Sequence, residues 1–574
     1  MIEKEKDNNS KQSFMMGVMT LLIAQIVVKV LGLVYRMVIT NIEGFGDTGN
    51  GLYGSGYQIY TLLLAISSIG VPNAISKLVS ERLAVGKNKE AHEIFKTALI
   101  LFSIVGMVAS TVLFFASGPI ANLIGNPDVQ GVMMALAPAI LFVSLAAVIR
   151  GYFNGMYNMK ATSNSQMLEQ LFKSVFTIVF VQVVAHISIA NSSWLADVLN
   201  ITAENRTMAM AIAGNAASTF ATFLGCGYLL IFYQRHKKQI WKDINNSKGE
   251  YKKEKRTKIM KRILAISIPI SLASVVSAIN RNIDTFTVVN GLKTALAGWS
   301  TSIDAITNEA TRLYGILSGK IDMLVGMPAA LNVAFATALV PAISAAMANG
   351  DIKTAKRRMT FSIRTTLLIA LPCAIGICVL AEPILNLLFP NAYAAEAPLL
   401  LQISAFTIIF TLMNQTIGGA LQGLGKVLVP ATSLAVGAAI KLVLNLILIP
   451  NMEFGVLGGI NGAAISSVTA SFVAMMINLT VLSKTIKLNM NINQTIIKPL
   501  IATGTMGVLA YYMYYFLNAS LGNSISTIIA IILAIIVYFL LILFLNILDR
   551  DDYHMLPYGD KLYSVLEKMK LVKP

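Results

Sequence analysis

TALILFSIVGMVASTVLFFAS, residues 97–117, runs for 21 residues without a charge. A helix rises 1.5 Å per residue, so this run spans about 31 Å, close to the roughly 30 Å of a bilayer's hydrocarbon core. Runs of the same kind recur along the chain. The first six lie near 15–40, 55–80, 96–117, 131–156, 165–188 and 207–233. Six more lie near 263–290, 313–346, 362–383, 397–421, 427–450 and 456–482, and a last pair near 498–517 and 523–548. Composition agrees: 56% of the 574 residues are hydrophobic, mean hydropathy is +0.69, and 13% are charged, about half the roughly 25% usual for soluble domains. The pattern predicts an all-α integral membrane protein with about fourteen transmembrane helices.

The charges test this assignment independently, because Lys and Arg gather in cytoplasmic loops. With the N-terminus inside and strict alternation, inside segments hold 35 of the 45 basic residues. Twelve lie in 235–262 alone, and outside segments hold only Arg206, Lys293 and Arg312. Both termini are therefore expected in the cytoplasm. The net charge of +17 reads as topology rather than nucleic-acid binding. The basic stretch reads as a linker, and a contact with anionic lipids is the sharper alternative for it. The opening residues show no cleavable signal peptide.

A weak internal repeat supports two halves. Gly151, Gly155 and Lys173 recur 268 residues later as Gly419, Gly423 and Lys441, with Asn154 matched by Gln422. Small residues four apart let membrane helices approach closely. The expected plan is a cytoplasmic N-terminus (1–14), an N-lobe of six helices (15–233), a basic linker (234–262), a C-lobe of six helices (263–482), a C-terminal helix pair (498–548) and a cytoplasmic tail (549–574).

Seven basic residues remain inside the spans: Lys29, Arg36, Arg150, Lys173, Arg281, Lys320 and Lys441. The acids there are Glu169, Asp284 and Asp322. Each costs about 2.5–3.5 kcal/mol at a helix centre, so each should face a partner or a polar cavity. Glu169 and Lys173 form an i,i+4 pair with the acid first, the favoured order. Arg281 and Asp284 are i,i+3 neighbours, whereas Lys320 and Asp322 point in different directions. Lys29 and Arg36 share a face of helix one, about 10 Å apart along the axis, and no acid accompanies them before Glu43. A surplus of buried cations favours an anionic cargo, and a phosphate or diphosphate can be gripped by several Arg and Lys. A cation or drug exporter would hold unpaired carboxylates instead. A glycosyltransferase would need catalytic acids on a sizeable outer loop, and no nucleophile–base constellation or metal-ligand spacing appears among the four His and three Cys. No enzyme is expected.

Several stretches carry a resemblance: VKVLGLVYRMVITNIEG at 28–44, GVPNAISKLVSERLAVG at 70–86, RGYFNGMYNMKATSNSQMLEQLFK at 150–173, GALQGLGKVLVPA at 419–431 and DRDDYHMLPYGDKL at 549–562. In these the chain resembles the multidrug/oligosaccharidyl-lipid/polysaccharide (MOP) flippase superfamily, in its Gram-positive branch of stage V sporulation protein B and MurJ-type lipid II flippases. The resemblance implies a MATE-like, MurJ-like fold: two six-helix lobes around a central cavity, alternating access, and a C-terminal pair forming a groove for a lipid tail. It implies a monomeric transporter of the bacterial plasma membrane whose partner is an anionic undecaprenyl-linked lipid. It also implies no cofactor, with coupling to the membrane potential, Na+ or H+ left open. On the helices it marks as cavity-lining stand Lys29, Arg36, Arg281 and Lys320; Arg150 is a further candidate for the substrate, and Asp284, Asp322, Glu169 and Lys173 for gating or ion pairing. The pattern also departs: Met37 follows Arg36 where an Asp is common, and no basic residue lies between Gly54 and Ser76. Alternatives are a flippase for another undecaprenyl-diphosphate oligosaccharide and a MATE-type drug or cation antiporter.

Overall fold

A computed structural model describes residues 26–187, 201–246, 254–488 and 491–549, and in the tail 552–553, 563–564 and 566–567. The expected N-terminus 1–14, the start of helix one and most of the tail 549–574 lie outside the described residues. All regular structure among the described residues is helical: α1 (26–40), α2 (Gly46–Ser67), α3 (Val71–Ala84), α4 (Asn88–Ile124), α5 (Val129–Gly155), α6 (Lys160–His186), α7 (Arg206–Asn245), α8 (Arg256–Ala295), α9 (Ile303–Gly315), α10 (Asp322–Ala348), α11 (Ile352–Val379), α12 (Ala381–Leu388), α13 (Ala397–Gly423), α14 (Val429–Leu448), α15 (Gly459–Thr485) and α16 (Lys498–Phe544), with short helical turns between some of them. Ten of the described helical runs are long and apolar enough to cross a bilayer, or eleven with α8, which is bent by 47°. The protein is a multi-pass membrane protein.

Three expected spans differ in detail. The single helix foreseen at 55–80 is two, α2 and α3. Pro72 has no N–H with which to continue the helix, and the Gly70 N–H bonds the Ser271 hydroxyl at 3.1 Å instead. The span foreseen at 313–346 begins earlier, at Ile303, and passes through a π-helical turn at Ile316–Ile321. The last pair is a hairpin within α16. Its 47 residues would extend about 70 Å if straight, but Gly522 breaks the helix at φ 72°, ψ 171°. The limbs return on each other through Ala502, Met506, Ala510, Ala530 and Ala534, and Lys498 Nζ at one end donates to the Asn546 carbonyl at the other, 3.3 Å away.

The described structure divides into two compact units, residues 1–319 and 320–574. This division does not coincide with the basic stretch 234–262, whose first part simply continues α7 to Asn245. The reason is that α8 and α9 pack onto α2 and α4 of the first unit. Asn282 Nδ2 donates to the Gln58 carbonyl at 3.1 Å, and Lys293 Nζ to the Gly125 carbonyl at 3.0 Å.

The 268-residue repeat has a geometric counterpart in each unit. A methyl group at Gly155 would stand 2.9 Å from the Ser76 carbonyl, and one at its match Gly423 would stand 3.0 Å from the Val340 carbonyl. Glycine thus brings α5 against α3 in the first unit and α13 against α10 in the second. Both helices end with the same hydrogen bonds. Tyr157 N–H bonds Asn154 O and Asn158 N–H bonds Phe153 O, at 3.0 and 2.9 Å; Gly425 N–H bonds Gln422 O and Lys426 N–H bonds Leu421 O at the same distances. The closing residue is left-handed in both, Tyr157 at φ 59° and Gly425 at φ 81°, as a Schellman-type end requires. Lys173 and Lys441, the other matched pair, are both buried.

In the second unit a clasp ties the tail to α11. Arg364 of α11 is only 5% exposed. Its guanidinium bonds Asp552, Asp549 Oδ2 at 3.3 Å and Gln494 Oε1 at 3.3 Å. Burial pushes the Asp552 carboxyl above its usual range, opposed by the Asp549 N–H and by Arg364. This clasp holds the base of the α16 hairpin against α11.

Candidate functional site

The first unit concentrates polar side chains where α1, α2, α5, α6 and α7 face one another. Tyr53, Tyr57 and Tyr60 recur at i, i+4 and i+7 on α2, the spacing of a single helical face. Neighbouring rings lie 6.0 and 5.5 Å apart between centroids. From α1, the Tyr35 hydroxyl lies 3.5 Å from the Tyr53 hydroxyl. Two cations stand over this ladder. Lys173 Nζ, from α6, is 4.0 Å from the Tyr57 ring centre and 5.8 Å from that of Tyr35. The Arg36 guanidinium is 4.5 Å from the Tyr53 ring centre. Desolvated contacts of this kind are each worth about 2 kcal/mol.

Lys173 does not pair with Glu169, as the i,i+4 spacing suggested. The Glu169 carboxylate is taken by Arg150 of α5, with Nη2 at 2.7 Å from Oε2, while Arg150 Nε donates to the Ser165 hydroxyl at 2.9 Å. On α7 a methyl group at Gly225 would stand 3.3 Å from Glu169 Cβ, so glycine leaves this acid its room beside α5, while Lys173, one turn on, meets the tyrosines. Arg150, Glu169 and Lys173 nonetheless line one pocket of about 200 Å3 with Tyr57, Gln166 and Ser218. The Ser218 hydroxyl there is buried and has no hydrogen-bond partner among the described residues. Arg150→Gln should lower the thermal midpoint in detergent, since it strands a half-buried carboxylate at a cost of about 1–3 kcal/mol. Adding Glu169→Gln should restore most of the loss, and a double variant no more stable than Arg150→Gln alone would contradict the pairing.

Arg36 is held differently. Its Nη1 is buried and has no hydrogen-bond partner among the described residues, and neither has the buried Ser318 hydroxyl. Both border the space above Gly54, where a methyl group would sit 2.9 Å from Ser318 Oγ and 3.8 Å from Arg36 Nη2. An unpartnered buried donor costs about 1–3 kcal/mol, more when charged. The arrangement leaves a charged donor and a hydroxyl side by side with hydrogen-bonding capacity unused among the described residues.

The remaining expected residues are placed as follows. Lys29 is exposed on α1 and does not line the 200 Å3 pocket, although Val28 beside it does. Arg281 is exposed on α8 and Asp284 is 9% exposed, each with electrostatic or hydrogen-bond contacts. Lys320, in the second unit, is 1% exposed. Its ammonium donates to the Ala392 carbonyl, and Nζ lies 5.4 Å from the Phe389 ring centre. Asp322 is exposed two residues on. The tyrosine ladder was not singled out from the sequence, although the 53, 57, 60 spacing was there to find it.

The sequence profile of the family described as "Polysaccharide biosynthesis protein" matches residues 14–347. The chain belongs to this family. The MatE profile matches residues 316–447, and both lie within the MOP superfamily, so the chain is a MOP-superfamily transporter and not an enzyme. Three proteins of Bacillus subtilis (strain 168) are similar over most of their length. Membrane protein YabM is 28% identical, with 80% of this chain and 78% of YabM covered. Stage V sporulation protein B is 24% identical, with 84% and 86% covered. Lipid II flippase MurJ is 26% identical, with 76% and 77% covered. Among solved structures, lipid II flippase MurJ in an inward closed conformation matches with a TM-score of 0.57 at 16% identity, covering 90% of this chain and 97% of that one. A multidrug resistance MATE transporter in an inward-facing conformation matches with a TM-score of 0.57 at 15% identity, covering 81% and 98%. At these identities the structural likeness carries the fold, which is that of this superfamily.

Proposed function

We propose that this transporter moves a lipid-linked diphospho-sugar, the peptidoglycan precursor lipid II, from the inner to the outer leaflet of the bacterial plasma membrane by alternating access. The carrying observation is Arg36, a half-buried guanidinium over the Tyr53 ring whose buried Nη1 has no partner among the described residues. A diphosphate oxygen accepts from that nitrogen, and Arg281, Lys29 and Lys320 supply further cations as the lobes move. Arg150, neutralised by Glu169, and Lys173, set over the tyrosines, hold the pocket in shape.

The prenyl tail stays in lipid. An apolar groove of about 380 Å3 on the α16 hairpin, lined by Leu509, Tyr512, Met513, Phe516, Leu533 and Val537, suits an isoprenoid chain, and Phe516 is 79% exposed. With both termini cytoplasmic, an inside-negative potential contributes about 2.3 kcal/mol per unit charge per 100 mV toward moving a net-negative complex outward. It equally returns the empty cationic site. The protein acts as a monomer with no cofactor.

The test is rescue. Cells depleted of their lipid II flippase and supplied with this chain should recover growth and expose lipid II to an externally added probe. Growth failure with the protein present in the membrane would overturn the lipid II assignment. Restored export of another undecaprenyl-linked oligosaccharide in a strain lacking that activity would then identify the cargo.

A further inference from the structure

The cytoplasmic end of α7 carries a feature that transport does not use. The helix is 40 residues long, about 60 Å, or twice the hydrocarbon thickness. Its apolar part gives way after Tyr233 to Gln234, Arg235, His236, Lys237 and Lys238. Lys237 and Lys238 lie about 6–7.5 Å beyond Tyr233 along the axis, within the roughly 5–7 Å headgroup layer of one leaflet. From there outward an open cavity of about 530 Å3 is lined by Lys237, Lys238, Trp241, Lys242, Asn245 and Asn246, with Trp241 and Lys242 about 12–13.5 Å beyond Tyr233. Among the described residues its lining holds three cations, two amides and an indole, and no acid.

The surroundings keep this cavity basic. Asp243, the acid nearest in sequence, is turned aside, with Oδ1 accepting from Gln239 Nε2 at 3.0 Å and its carbonyl accepting from Asn88 Nδ2 at 2.8 Å. Trp241 is fixed from α4 by the His92 ring, 5.7 Å away in an edge arrangement, and by Lys96 Nζ, 5.6 Å from the indole centre. Glu93 offsets Lys96 at 3.5 Å, so Lys96 holds the ring without adding net charge. Even so braced, Trp241 is 41% exposed. Tryptophan favours the interface because it is apolar with one polar edge, and each Lys near an anionic leaflet adds attraction.

We infer that this cavity is a binding site for the headgroup of an anionic phospholipid of the cytoplasmic leaflet, its phosphate among Lys237, Lys238 and Lys242 and the polar group beyond the phosphate against Trp241. The asparagine amides bond the polar headgroup.

The test uses Trp241 as reporter. The chain has three tryptophans, so Trp194→Phe with Trp299→Phe leaves one. The full-length double variant is placed in phosphatidylcholine vesicles containing a minor fraction of brominated phosphatidylglycerol or brominated phosphatidylcholine. The anionic brominated lipid should quench at least threefold more per mole. Lys237→Gln, Lys238→Gln and Lys242→Gln together should bring that ratio to one. Equal quenching by both lipids in the parent would overturn the inference. So would an equal loss of preference on neutralising Lys353, Lys356 and Arg357 instead, because that marks general attraction to a basic protein. Abolition of the preference by inorganic phosphate, at an ionic strength where sodium chloride leaves it, would reassign the site to a free oxyanion.

Discussion

Arg36→Ala should abolish rescue of flippase-depleted cells while leaving the protein folded and in the membrane. The guanidinium makes a ring contact with Tyr53 and has a buried nitrogen without a partner. Its removal therefore takes away about 2 kcal/mol of cation–π attraction but also relieves an orphaned donor costing about 1–3 kcal/mol. The thermal midpoint should hardly move. The cargo complex loses a charge-assisted hydrogen bond of about 1.5–3 kcal/mol, roughly a ten- to 150-fold loss in affinity. Arg281→Ala in addition should deepen the loss to roughly 10²–10⁴-fold if the two contributions add. Arg36→Lys keeps the charge but not the planar fork, and should retain partial rescue. Gly54→Ala is a companion test. Its methyl would fill the space between Arg36 and Ser318, and the Ser318 hydroxyl can rotate aside, so transport should fall further than stability. Full rescue by the Arg36→Ala, Arg281→Ala double variant would sink the diphosphate assignment.

The helices were legible because hydrophobic length is a one-dimensional property. Residues 97–117 carry their own evidence, and so do most other spans. The break between α2 and α3 was less legible. Pro72 hinted at it, but the Ser271 hydroxyl that receives the Gly70 N–H lies about two hundred residues away. The repeat was visible as a few matched letters, and its meaning became clear only as matched hydrogen bonds at Tyr157 and Gly425. In the site, the identity of the buried cations was readable and their partners were not. Glu169 has two candidate cations, Lys173 one turn away and Arg150 on another helix, and local spacing favours the first. The structure has Arg150, with Nη2 at 2.7 Å from Glu169 Oε2, and Gly225 leaves the acid its room beside α7. Arg364 shows the same limit: the acids that hold it inside, Asp549 and Asp552, lie nearly two hundred residues on. Pairings across helices depend on which small residues permit close approach, and composition does not encode that.

Close approach also gives the largest expected structural effect. Gly315→Ala should prevent the first unit from assembling. A methyl group there would lie 1.8 Å from the Asp47 carbonyl and 2.7 Å from the Gly51 N. From the other side, a methyl on Gly51 would lie 2.2 Å from the Thr311 carbonyl. These are backbone atoms of α2 and α9, so no rotamer change relieves the clash and the helices must separate. Overpacking a core costs about 1–3 kcal/mol where side chains can shift, and here the cost should exceed that range. Close backbone contact is also what joins helices in lipid, where burial of apolar surface gives no drive. Size-exclusion profiles in detergent should show no monodisperse peak for Gly315→Ala or Gly51→Ala. Gly227→Ala and Gly326→Ala, with no atom within 4 Å of the added methyl, should elute as the parent does. A normal peak for Gly315→Ala would mean that α2 and α9 are not this close. The consequence reaches the site, because α2 carries Tyr53, Tyr57 and Tyr60, and α9 leads through the π-helical turn to Ser318. Such turns inside helices often mark functional positions, and this one sets the Ser318 hydroxyl beside Arg36. The glycine contact therefore fixes how α2, with Tyr53 under Arg36, meets Ser318, and any residue larger than glycine at 315 should move them apart.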